Sequence, residues 1–96
     1  MSYHQIALLD TEADAQGEPV DVSDCGRLLF VVDLDGEDGF SATVSVQGRQ
    51  REGVWHELDS FGWSGELNLD NYGWHEVRAT ACELAGARVR VGLSWR

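Results

Sequence analysis

The sequence predicts a single all-β domain spanning residues 1–96, an antiparallel two-sheet β-sandwich of the jelly-roll type with about eight strands. Two segments carry this prediction. In Phe40–Gly48 and in Ala87–Trp95, apolar and polar residues alternate one by one, which is typical of strands with one buried and one solvated face. The chain contains eleven glycines and a single proline, which fits short, evenly spaced strands separated by turns. No segment shows clear helical periodicity, so helices are not expected.

A third segment, Arg27–Leu34, is apolar on both faces for most of its length. This pattern indicates either a central strand or a strand whose second face is covered by something else. Shorter strands are predicted at Gln5–Leu9, Pro19–Ser23, Val54–Leu58, Glu66–Leu69 and Glu76–Glu83. Residues 1–16 also fit an extended arm or loop ahead of the sandwich.

Glycine and acidic residues mark the expected turns. Asp35–Gly39 joins two strong strand patterns and predicts a hairpin loop. Arg49–Gly53 predicts a second loop, and Asn71–Gly73 and Ala85–Gly86 predict two more.

The distribution of charge argues against nucleic acid as a partner. The formal net charge is −10, and residues 1–48 hold ten acidic side chains and one basic one, Arg27. Residues 49–96 hold seven acids and six arginines, which we expect to balance one another. A nucleic-acid binder needs a continuous basic surface. The sequence predicts no such surface, and we therefore expect no nucleic-acid partner.

The chain also lacks the patterns of targeting and membrane segments. No stretch approaches the roughly 20 apolar residues of a membrane span, so no membrane partner is expected. The amino-terminal residues have neither a basic region nor a long apolar core, so they do not resemble a signal peptide. We therefore expect the protein to stay, or to be assembled, in the cytosol.

No pattern in the sequence indicates catalysis or a cofactor. The acidic run Asp33–Asp38 invites comparison with a calcium loop, but an EF-hand counted from Asp33 needs glycine where Asp38 stands and glutamate where Val44 stands. The three histidines lack metal-ligand spacing with a cysteine, and no nucleophile or phosphate-binding motif is present. We expect neither an enzyme, nor a metal, nor a cofactor. Cys25 and Cys82 are either free thiols or bridge neighbouring strands.

The aromatic residues are the more informative candidates for a binding site. Phe61, Trp63, Tyr72 and Trp74 lie in or beside glycine-containing loops. Such side chains either anchor a protein interface, form a platform for a sugar, or cap the open end of the core. Trp55 and Trp95 lie on predicted strands, and we expect them in the core.

The order of these features resembles a family of small phage structural β-sandwich proteins. The resemblance runs from about Gly17 to the end of the chain. It is carried by Val20-Asp21-Val22, the apolar strand Leu28–Leu34, Thr43-Val44-Ser45-Val46-Gln47-Gly48, Glu52-Gly53-Val54-Trp55, Glu76-Val77-Arg78, Gly86 and Val89-Arg90-Val91. The chain departs from the pattern in its acidic amino-terminal half and in Glu52, where the turn commonly carries aspartate.

The resemblance implies a virion structural protein, located on the capsid surface, that decorates and stabilises the assembled phage head. Its implied partners are the major capsid protein and further copies of itself, for example in a trimer. The expected contact residues are Phe61, Trp63, Tyr72, Trp74 and Tyr3 of the segment Tyr3–Leu9, with Arg88 and Arg90 as a second surface. A carbohydrate-binding module and a tail-associated adhesion domain remain alternatives.

Overall fold

A computed structural model describes residues 4–71 and 73–95, and all of its regular structure is β. The strands are β1 (His4–Thr11), β2 (Ala15–Gln16), β3 (Val20–Asp21), β4 (Arg27–Arg49), β5 (His56–Phe61), β6 (Gly65–Asp70) and β7 (Glu76–Trp95). The prediction of an antiparallel all-β fold is confirmed. Hydrogen bonds join all seven strands in one sheet, so a division into two sheets and a jelly-roll connection are not confirmed. Within the described residues, no helix is long and apolar enough to cross a membrane.

Two long antiparallel strands, β4 and β7, form the centre of the sheet. Their pairing runs from Leu28 opposite Trp95 to Arg49 opposite Glu76. In the first half of the sheet, the beginning of β4 and the end of β7 are flanked by β6 and β1. In the second half, the end of β4 and the beginning of β7 are flanked by β5 on one side and by β2 and β3 on the other.

The predicted hairpin at Asp35–Gly39 is wrong. The strands on either side of it do not pair with each other, because both pair with β7. Residues 37–40 instead lie opposite Gly86 alone, which makes a large bulge in a continuous strand. The Phe40 ring folds back over Gly36, where a Cβ atom would come within 2.7 Å of the ring. The turn predicted at Ala85–Gly86 is likewise not a break between strands, because β7 continues through it opposite the bulge of β4.

This bulge bends the sheet. A straight strand of 23 residues would span about 75 Å, yet the longest dimension of the molecule is 40 Å. A second irregularity follows in β7, where Glu83 adopts a φ of 54° and its carbonyl accepts a hydrogen bond of 2.8 Å from the Ser41 hydroxyl. The two halves of the sheet are therefore inclined to each other although the central pairing runs through both.

Both halves of the sheet contribute to one apolar core. The alternating residues of β4 and β7 point into it from either side of the bend, and β1 and the segment after β3 complete it. The buried members are Leu8, Leu9, Val22, Leu28, Phe30, Val32, Val44, Val46, Val77, Ala79, Ala81, Val89, Val91 and Leu93. The inward set predicted from the alternation in Phe40–Gly48 and Ala87–Trp95 is thus largely correct.

The turn at the far end of the second half is held by one amide side chain. Asn71 Nδ2 donates to the carbonyl oxygens of Val22 at 2.8 Å and Trp74 at 3.1 Å, and Asn71 Oδ1 accepts from the Trp74 amide at 2.8 Å. The predicted turn at Arg49–Gly53 is also present, closed by the Gly53 amide on the Gln50 carbonyl at 2.8 Å. Together they fix the positions of Trp74 and of the start of β7.

Two neighbouring valines of β4 test the assignment of inner and outer faces. Val32 is 2% exposed and Val31 is 43% exposed. We expect Val32→Ala to lower the free energy of unfolding by about 2 kcal/mol, since it deletes two buried methyl groups and leaves a cavity. Val31→Ala should cost less than about 1 kcal/mol. Urea unfolding at low protein concentration measures both, and equal losses would contradict the assignment.

Candidate binding surfaces

Trp63 is the most exposed large apolar side chain among the described residues, at 77%. It lies in the turn between β5 and β6, at the end of the molecule where the sheet bends. Its ring meets Phe40 edge-on, with 6.4 Å between ring centroids. Phe61, at the start of the same turn, is half-buried and packs against the core. Within this turn, therefore, the Phe61 ring points toward the core and the Trp63 ring points into solvent.

Trp74 does not share a surface with Trp63. It is half-buried against the core and lies so close to Gly48 that a Cβ atom there would come within 3.0 Å of the indole. The neighbouring His75 amide donates to the Arg49 carbonyl at 2.9 Å, at the opposite end of β5 from Trp63. Trp74 thus closes the open end of the core. Tyr72 and Tyr3, two further predicted contact residues, lie outside the described residues.

The predicted amino-terminal contact segment forms part of the sheet. Residues 4–11 run as β1 along the outer edge of β7. Leu8 and Leu9 are buried, whereas Ile6 is 41% exposed. His4 stacks on Trp95 with 5.4 Å between ring centroids, and Trp95 is half-buried at the end of the core. Only the first part of this segment is therefore accessible to a partner.

Arg88 and Arg90 are exposed on the outer face of β7, as the alternation predicts. Arg88 holds the Asp10 carboxylate with two hydrogen bonds, of 2.8 and 3.0 Å. These bonds, with the positive charges of Arg88 and Arg90, keep the pKa of Asp10 below its ordinary value of 3.8 despite some desolvation. In the sheet, Arg90 lies between Asp10 and Asp33, and Arg88 lies beside Asp35. The surface is an alternating ladder of acids and bases, not a basic patch.

Trp55 lies outside the core, contrary to expectation. Its ring is covered by two guanidinium groups, with Cζ of Arg78 at 4.1 Å and Cζ of Arg49 at 4.7 Å from the ring centroid. Arg49 Nε donates to Glu76 Oε1 at 2.8 Å and Arg78 Nε donates to Gln47 Oε1 at 2.7 Å. The sequence carried a signal for this cluster, because Arg49 and Arg78 alternate with buried residues and had to point outward.

A shallow apolar groove of about 410 Å³ lies on the outer side of the first half of the sheet. Its floor is Gly92, and its walls include Ala7 and Val31. We call this surface the Gly92 face, formed by the outward residues Ala7, Leu29, Val31, Gly92 and Ser94. The sequence indicated that Arg27–Leu34 is either central or covered on its second face. The strand is central, and within the described residues Val31 on its second face is uncovered.

Neither cysteines nor metal ligands add a further site to the described part of the chain. Cys25 and Cys82 are both free thiols; Cys25 is half-buried, and burial followed by the charges of Asp24 and Asp21 raises its pKa. Among residues 4–71 and 73–95, no group of three or more histidine, cysteine, aspartate or glutamate side chains is arranged to hold a metal ion.

A structural comparison with known proteins identifies one informative similarity. No family model matches the sequence, and no curated protein matches it either. Among solved structures, the SPBc2 prophage-derived protein YomS is similar with a TM-score of 0.71, over 99% of this chain and 94% of that chain. The chain has the fold of YomS. At 12% sequence identity the likeness concerns the fold alone.

The two clusters around tryptophans differ in what they contribute to stability. We expect Trp55→Ala to lower the free energy of unfolding by about 2 kcal/mol, because it removes apolar contact and two cation–π interactions. Trp63→Ala should change it by less than about 0.5 kcal/mol, since that ring is mostly exposed. Chemical denaturation followed by circular dichroism measures both variants. A larger loss for Trp63→Ala would show that the exposed ring supports the fold.

Proposed function

We propose that this chain is a structural protein of a phage particle, a capsid decoration protein that binds the major capsid protein on the assembled head. The similarity in fold to a prophage-derived protein along nearly the whole chain is the observation that carries the proposal. The order of sequence motifs, which resembles small phage structural proteins, supports it independently. The site of action is then the capsid surface of a virion assembled in the host cytoplasm.

Trp63 is the best candidate for the anchor of this contact. An exposed indole offers a large apolar area and loses few rotamers when it is buried. Phe40 supports one edge of the ring, so part of the cost of ordering it is met before binding. The turn that carries Trp63 projects from the bent end of the sheet, where a partner can reach it without displacing a strand.

The mechanism is stabilisation by preferential binding. A ligand that binds the assembled shell but not the free coat subunit stabilises the shell in proportion to RT ln(1 + [L]/Kd). Repetition of the site across the shell adds avidity when copies of the decoration protein contact each other. A net charge of −10 keeps the decorated particles apart in solution.

The exposed Trp63 ring, flanked by the half-buried Phe40, also favours a second candidate function. Aromatic rings at an accessible turn suit stacking against a sugar, as in a carbohydrate-binding module or a tail-associated adhesion domain. This alternative predicts a glycan ligand for the isolated domain, whereas the capsid proposal predicts none.

Co-sedimentation with expanded capsids of the phage that encodes the chain tests the capsid proposal. We expect saturable binding, and we expect Trp63→Ala to weaken it by about 10-fold or more, since an interface anchor is worth upward of about 1.4 kcal/mol. Val54→Ala is the matched control, because Val54 is also a highly exposed apolar residue, at 72%, but lies in a different loop.

Two results would contradict the capsid proposal. One is failure of the wild-type protein to bind expanded capsids. The other is a Trp fluorescence change in the isolated wild-type domain on adding a glycan, lost in Trp63→Ala, together with capsid binding that ignores this substitution. The second pattern would favour the carbohydrate-binding alternative.

A further inference from the structure

We propose that the Gly92 face is a homodimer interface, in which two copies pack face to face about a two-fold axis parallel to β4 and β7. The occupant of the groove is thus a second copy of this chain. This inference goes beyond the capsid role and does not depend on it, because it concerns the isolated protein.

The centre of the face carries a protrusion beside a depression. Val31 is 43% exposed, and its neighbour across the central strand pair is Gly92. A Cβ atom built on Gly92 would meet no heavy atom within 4 Å, so the depression is open to solvent. An exposed aliphatic side chain next to an apolar depression is a shape that a complementary surface can fill.

Symmetry makes this shape complementary to itself. A two-fold axis that runs midway between β4 and β7, in the plane of contact, lays β7 of one copy over β4 of the other. Take any residue of β4 in one copy and its cross-strand partner in β7. In the dimer, that residue lies over the same β7 residue of the other copy. Val31 of either copy consequently falls on Gly92 of the other, and Ser94 falls on Leu29. Aligned packing of two twisted sheets keeps this correspondence best at the centre of the face.

The charged residues next to the groove are also complementary to themselves under this two-fold axis. Arg90 is paired with Asp33 and Arg88 with Asp35 across β7 and β4. The two-fold operation therefore places each arginine over an aspartate of the other copy. The side chains of Arg90 and Asp33 make no hydrogen bond or close ion pair within residues 4–71 and 73–95, although the charge of Arg90 also acts on Asp10. Both side chains can therefore turn toward the other copy. Elsewhere the net charge of −10 would make two copies repel each other, which favours this face over others.

The size of the face sets the expected strength. The face extends onto β6, whose exposed Glu66 and Asn68 lie beside Val31 and Leu29 and form a polar rim. With β6 included, four strands about 4.8 Å apart and about eight residues long cover about 500 Å² per copy, or about 1,000 Å² in total. This area is at the lower limit for a specific interface, so a weak dimer that dissociates on dilution is expected.

Sedimentation equilibrium of the isolated protein from about 1 µM to about 1 mM tests the interface, the range in which so small an interface should dissociate. We expect the wild type to dimerise within this range and Gly92→Glu to raise the dissociation constant by about 10-fold or more, because it fills the groove with a charge. The fold tolerates this change, since Gly92 has open space and no positive φ. Gly62→Glu is the control: it adds the same charge at another open glycine and should leave the dissociation constant near that of the wild type.

A charge exchange tests the orientation of the two copies. Arg90→Glu and Asp33→Arg should each impair dimerisation alone, since each places like charges opposite one another. An equimolar mixture of the two variants should recover association, because every contact between unlike copies then joins opposite charges. Wild type that stays monomeric to 1 mM, equal effects of Gly92→Glu and Gly62→Glu, or a mixture that does not associate would each overturn the proposal.

Discussion

The pairing of β4 with β7 is the interaction on which the rest of the structure depends. It extends from Leu28 opposite Trp95 to Arg49 opposite Glu76, and every other strand is attached to one of these two. The bulge opposite Gly86 bends this pair without interrupting it, so the same two strands supply inward residues to the core from both sides of the bend. A single sheet thereby encloses one shared core. Almost all of the contacts that build it join residues far apart in the sequence.

The outward residues of the same two strands decide what each surface can do. In the second half, the outward side chains mostly contact one another. The guanidinium groups of Arg49 and Arg78 cover Trp55 and also bond to Glu76 and Gln47. In the first half, the small Gly92 leaves a depression beside Val31, and the neighbouring charges alternate in sign. The bend itself presents Trp63 at one end of the molecule. The contacts that we propose are therefore at the bent end and on the Gly92 face, whereas Trp74 at the closed end is half-buried against the core.

Local periodicity predicted the strands but not their partners. The alternation in Phe40–Gly48 correctly indicated that Val44 and Val46 point into the core. The acidic glycine-rich run Asp35–Gly39 has the composition of a hairpin loop, and it forms a bulge because its partner, β7, lies far along the chain. For the same reason sequence grouped Trp63 with Trp74: both lie in glycine-containing loops, and only the pairing of β5 with β4 shows that they occupy opposite ends. Gly92 gave no signal, since its importance is the space beside Val31.

Native-state hydrogen exchange, resolved by residue, tests most directly whether the β4–β7 pair unites the two halves of the sheet. If it does, the slowest amides of β4 and β7 on both sides of the bulge should exchange with one common free energy, equal to that of global unfolding. Amides near Phe30 and Leu93 would then match those near Val46 and Ala79. Exchange of one half at a clearly lower free energy than the other would contradict this, because it would show that the halves open independently and that the bulge separates two cooperative units.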